Sequence, residues 1–95
     1  MPASKKVRFV DVVNSLLDNN TPFPAVYLPQ FSDLTPESAF KLQKAWSSIA
    51  PQRRVTLLED LEEIINSDTL MSFDEVARIA MQDSLGKVRE LAILL

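Results

Sequence analysis

The chain has no cysteine, no histidine and a single glycine among its 95 residues. Each absence removes a class of chemistry. Without cysteine there is no disulfide framework, no thiolate nucleophile and no Cys/His zinc site. Without histidine there is no imidazole general base and no Ser-His-Asp triad from this chain alone. One glycine does not make a phosphate-cradling loop. Long hydrophobic runs are missing too. No stretch approaches the roughly 18–20 apolar residues that cross a bilayer. The opening Met1-Pro-Ala-Ser-Lys-Lys6 leads into an amphipathic stretch interrupted by Asp11, Asn14 and Asp18. A signal peptide needs an unbroken apolar segment, so the expectation is a cytoplasmic chain.

What is present is apolar and unevenly charged. Hydrophobic residues make up 46% of the chain, enough for one thin core in a domain of this length. Residues 1–50 carry five basic and four acidic side chains, whereas residues 51–95 carry five and nine. Neither half has the basic excess of a nucleic-acid binder, so no nucleic-acid partner is expected.

The apolar positions recur with helical spacing. Phe9, Val12, Val13, Leu16 and Leu17 form one stripe in a helix expected over 5–19. Pro22, Pro24 and Pro29 then exclude a regular helix, although Phe23, Val26, Tyr27, Leu28, Phe31 and Leu34 are too apolar for a free linker. The segment 21–35 reads as an extended or turn-rich strap over helices. Thr35 and Pro36 suit the cap and first position of a helix over 36–48, with Ala39, Leu42, Trp46, Ile49 and Phe40 inward. A third helix is expected over 51–66, with Val55, Leu58, Leu61 and Ile65 on its stripe. Ser72 and Glu75 have the spacing of a capping box for a fourth helix over 73–82, with an Asp74–Arg78 pair. Val76, Ala77, Ala80 and Met81 are expected inward there. A fifth helix starts near Leu85, with Val88, Leu91, Ala92 and Leu95 on its stripe. No segment alternates with period two, so the expected class is all-α with about five helices.

Sliding the chain by 35 residues lays the fourth helix on the second and the fifth on the third. Ala80 falls on Ala45, Met81 on Trp46, Asp83 on Ser48 and Arg89 on Arg54. A fixed-period pair of antiparallel helices is the sign of an α-solenoid. The run Asp83-Ser-Leu-Gly-Lys-Val88-Arg89-Glu-Leu-Ala92 resembles the signature of the HEAT-repeat family. There an inter-helix Asp precedes a Val-Arg pair, and a small residue follows. Ser32-Asp33-Leu34, Trp46 and Arg53-Arg54 before Leu57-Leu58 fit the same frame. The resemblance covers residues 33–95 and implies antiparallel helix pairs stacked as a short α-solenoid. It further implies that Asp83, Arg89 and Arg54 bond in a ladder between successive repeats, with Val88 and Ala92 on the inner stripe. The first unit departs from the pattern at Ser48, where an Asp is expected. On this reading residues 1–32 are a capping helix and Pro-rich strap. Residues 33–95 are two repeats, the second cut short inside the apolar run that ends at Leu95.

The candidates for chemistry each have a plainer reading. Glu59, Asp60, Glu62 and Glu63 are the densest carboxylate group. They read as a solvated helix face or as an acidic patch for a basic partner, since nothing in the pattern buries one of them to separate its pKa. Arg53, Arg54 and Arg89 are suited to grip phosphate or carboxylate, or to bond within the solenoid. Lys5, Lys6 and Arg8 are too few for a nucleic-acid site. Tyr27 and Trp46 are either partner anchors or core. No catalytic residue, metal or cofactor is implied. The expected function is a non-catalytic scaffold for protein–protein interaction, with self-association through an exposed apolar face on the last two helices. The alternatives are an enzyme-associated HEAT-like protein, lyase-like or concerned with DNA damage, and a free-standing helical regulator.

Overall fold

The computed structural model describes residues 7–68 and 70–95. Lys5, Lys6 and the expected start of the first helix lie outside them. Among the described residues there are five α-helices: α1 (Phe9–Leu17), α2 (Pro36–Trp46), α3 (Pro51–Ser67), α4 (Asp74–Ala80) and α5 (Gly86–Ile93). A 3₁₀ helix, Ala25–Phe31, lies between α1 and α2. The fold is all-α, and no strand occurs among the described residues. No described helix is long and apolar enough to cross a membrane.

The 3₁₀ helix corrects the expectation of an extended or turn-rich strap. Three residues per turn eclipse positions i and i+3, which puts Leu28 and Phe31 on one buried edge. Pro29 sits inside this helix. In an α-helix its ring would meet the carbonyl four residues back, and a single short run of 3₁₀ turns avoids that. Phe31 is fully buried, with the Phe9 ring edge-on at 5.7 Å and the Phe23 ring at 6.1 Å.

Neighbouring helices meet in layers. α1 packs on α2 and on the 3₁₀ helix, α2 lies against α4, and α3 and α4 both lie against α5. Buried residues from Val12 to Ala92 belong to one core, so the strap and all five helices share it. The segments preceding α2 and α4 are clipped together. The Asp33 N–H donates to the Ser72 carbonyl at 2.8 Å, and the Ser72 N–H donates to Ser32 Oγ at 3.0 Å. Asp33 adopts a left-handed φ of 53° to make the clip, a conformation that Asp tolerates better than most residues.

The clip also explains why the expected capping box is not formed. Ser72 is turned toward the strap, Phe73 takes the N-cap position without a side-chain bond, and α4 is shorter than expected. Arg78 pairs with Glu75 at 3.1 Å rather than with Asp74. The buried stripe of α4 is Phe73, Val76 and Ala80 with Ile79 beside them, and Met81 faces solvent. Continued at helical spacing, that stripe reaches Asp83. At α2, Thr35 Oγ1 accepts from the Ser38 N–H at 3.1 Å, and the helix ends at Trp46 in a tight turn. Phe40 lies outside the core at 60% exposed, with the Lys44 ammonium 5.4 Å from its ring centre.

Candidate functional site

Two features stand out. The first is a buried polar junction around Asp83. The Asp83 backbone N–H closes the turn after α4 by donating to the Ala80 carbonyl at 3.0 Å. Its carboxylate then points inward. Oδ2 accepts from the Trp46 indole N–H at 2.8 Å and from Nη1 of Arg54. Oδ1 accepts from the Leu85 N–H at 2.8 Å, which shapes the turn into α5. Arg89 donates to the Asp83 carbonyl oxygen at 2.7 Å from the second turn of α5. One carboxylate thus joins the end of α2, the first turns of α3 and the α4–α5 turn. Burial alone raises the Asp83 pKa. The Leu85 and Trp46 N–H groups and the Arg54 guanidinium outweigh it and hold the carboxyl below the ordinary range. The Asp83 side chain has no solvent exposure, and the cluster joins helices. Arg54 Nε has no hydrogen-bond partner in its buried position. Val88 and Ala92 are buried on the inner face of α5, which packs on α3.

The second feature is a groove between α3 and the strap. Near the start of α3 it is a cleft of about 310 Å³ lined by Leu16, Pro22, Phe23, Thr56, Leu57 and Asp60. Toward the end of α3 it is a cleft of about 410 Å³ lined by Ala25, Leu28, Asp60, Glu63, Ile64 and Ser67. The two meet at Asp60. Arg53 fixes the upper end. It donates to the backbone carbonyls of Asp18 and Thr21, the latter at 2.6 Å, and so fastens the exit of α1 to α3. Both bonds come from Nη2 and go to carbonyl oxygens of its own chain. Tyr27 is half-buried on the strap, with its ring 5.9 Å from that of Phe23, while Val26 beside it is 75% exposed.

The four carboxylates of α3 are not equivalent. Glu59 and Glu63 are exposed, Glu62 is half-buried, and Asp60 is half-buried at the waist of the groove. Burial, then the charges of Glu63 and Glu59, raise the Asp60 pKa. This corrects the expectation that nothing sets one of the four apart. The signal was in the spacing: Asp60 stands between Leu57 and Ile64 at the i+3 position of an i, i+3, i+4, i+7 stripe. Among the described residues no group of three or more Asp or Glu side chains is arranged to hold a metal ion. Trp46, the other expected anchor, is buried and its N–H is taken by Asp83.

Another cleft, between α2 and α4, includes Gln43, Arg78 and Ile79 in its lining. Its charge is mixed, because Arg78 pairs with Glu75 on its rim. On the last two helices Met81, Leu85, Ile93 and Leu94 are exposed apolar residues, Ile93 at 71%.

No known protein family, curated protein or solved structure matches this chain.

Proposed function

We propose that this chain is a non-catalytic interaction domain of the HEAT-like helical-repeat kind, working in the cytoplasm and holding a protein partner in the groove between α3 and the strap. The observation that carries the reading is the groove itself, an open channel with apolar and acidic lining between one long helix and the strap. Repeat domains use extended surfaces of this kind, not enclosed pockets, to bind other proteins. The repeat reading draws support from the Asp83 junction. Asp83 of the second helix pair accepts from Arg54 of the first, which is the relation the HEAT resemblance implies for successive repeats. Ser48, exposed where that resemblance puts an Asp, limits the ladder to this rung. Two further points weigh against catalysis. The most buried carboxylate is shut away from solvent, and the chain supplies no imidazole or thiol. An acidic balance disfavours a nucleic-acid partner.

Site-specific photo-crosslinking tests the proposal. A photoreactive side chain is placed in turn at Thr56 and Ser67, both exposed in the groove, and at Lys41 and Lys87, exposed elsewhere. The groove positions are expected to capture the same protein in cells, and the other two are not. Capture that is equal from all four positions, or none from the groove, would contradict it.

A further inference from the structure

The groove also specifies the chemistry of what fills it. Its floor is apolar: Phe23 and Ile64 are half-buried there, over the buried Leu16, Leu28 and Leu57. From Arg53 to Ser67 it follows α3 for about 21 Å, at 1.5 Å per residue, or roughly four helical turns. Neither wall is a strand edge. An occupant therefore gains no ladder of main-chain bonds and must satisfy its own backbone, as a helix does. Past Arg54 the charge along the helical wall is of one sign. Asp60 and Glu63 line the channel and Glu59 adjoins it, and among the described residues no cation lies within ion-pair distance of any of the three. Among the described residues the channel is lined by one cation, Arg53, at its upper end, and its Nη2 bonds to the carbonyls of Asp18 and Thr21.

We propose that the groove between α3 and the strap binds a basic amphipathic helix of another protein, about four turns long, with one apolar stripe flanked by Lys or Arg. This deepens the interaction reading above and rests on it. The apolar stripe would lie over Phe23 and Ile64, and the flanking cations would meet Asp60, Glu63 and Glu59. Asp60 gives an independent sign. With its pKa raised, its charge works against folding at neutral pH, and that cost fades as the pH falls toward the ordinary carboxylate range. A residue held at a cost to stability in a groove is placed for binding, where an incoming cation relieves the cost.

The test uses three synthetic peptides of roughly four helical turns. One has a Leu stripe flanked by Lys, the second has the same stripe flanked by Glu, and the third keeps Lys but replaces the stripe with Ser. Binding to the full chain is followed by fluorescence anisotropy and mapped by amide chemical shifts. The Leu/Lys peptide is expected to bind, shifting residues of α3 and the strap, and the other two to bind at least about tenfold more weakly. Asp60→Asn is expected to weaken the Leu/Lys peptide about fivefold while raising the melting temperature at pH 7. Those opposite signs separate lost binding from lost folding. Thr56→Arg, a change at an exposed position, is expected to abolish binding with the fold intact. Equal binding of the Leu/Glu or Ser/Lys peptide, or shifts centred on α2 and α4, would overturn the proposal. So would a concentration-dependent dimer that Thr56→Arg disperses, which would give the groove to a second copy of the chain. A partner crosslinked at Thr56 that has no basic amphipathic helix would overturn this proposal and leave the interaction reading standing. Failure of groove-specific crosslinking would remove both.

Discussion

Asp83→Ala is expected to destabilise the fold by about 3–5 kcal/mol, the cost of leaving a buried charge without its partner. The change strips Arg54 of its counter-ion, and the Trp46 indole and Leu85 N–H of their acceptor. In a domain of this size each kcal/mol moves the melting temperature by roughly 4–8 °C, so the midpoint falls by more than about 10 °C. Thermal and urea denaturation measure it. Removing both charges costs less than removing one. Arg54→Met with Asp83→Leu is expected to recover much of the loss, leaving the Trp46 and Leu85 N–H groups as the remaining unmet donors. Loss in the double variant equal to the sum of the two single losses would show that the charges are not coupled.

The same junction sets an acid limit. The Asp83 carboxyl titrates below its ordinary value of 3.8 in the folded protein. Its contribution is therefore fully present above about pH 4 and is lost as the pH falls through the folded-state value. The stability difference between the native chain and Asp83→Asn is expected to be constant from pH 5 to 7 and to shrink below about pH 4. A difference that grows on acidification would contradict the assignment.

Phe31→Ala is expected to cost a further large amount, about 3–5 kcal/mol, as for other fully buried aromatic residues. Phe31 is the side chain that pins the strap. It lies at 0% exposure on the 3₁₀ helix with Phe9 edge-on against it. Without it the strap loses its hold on the core, and the groove loses a wall. Limited proteolysis should then cut between Pro22 and Phe31, and crosslinking from Thr56 should fall with it. Val26→Ala, at the exposed edge of the same helix, is expected to stay within about 0.5 kcal/mol of the native chain. A strap that stays protected in Phe31→Ala would mean that other contacts hold it.

The helices were legible because their stripes are local. Val12 and Leu16, Leu58 and Leu61, and Val88 and Ala92 each recur at helical spacing and each is buried. What escaped depends on partners distant in the chain. Ser72 carries every local mark of a capping residue, yet its backbone bonds to Ser32 and Asp33, 40 and 39 positions earlier. Prolines foretold a break in the α-helix after α1, and a 3₁₀ turn satisfies the same constraint with Pro29 inside it. Helical spacing alone puts Met81 inward; the structure buries Ile79 instead, since the choice between adjacent apolar residues turns on how α4 is rotated against α2 and α5. The residues of the polar junction were singled out by motif. That Trp46 supplies one of its donors was not visible, since 37 residues separate it from Asp83. Asp60 shows the opposite case. Its place in the stripe was there to be read, and a run of carboxylates masked it.

The repeat reading requires the two helix pairs to behave as one stacked unit joined at Asp83. Native-state hydrogen exchange measures this most directly, because it reports the opening free energy of each helix separately. In the native chain the slowest amides of α3 (Leu57, Leu58 and Leu61) and of α5 (Val88, Leu91 and Ala92) are expected to open together, with the free energy of global unfolding. In Asp83→Ala those of α5 are expected to open more easily than those of α3. Independent opening of α4 and α5 in the native chain, with α3 protected throughout and no change on replacing Asp83, would contradict it.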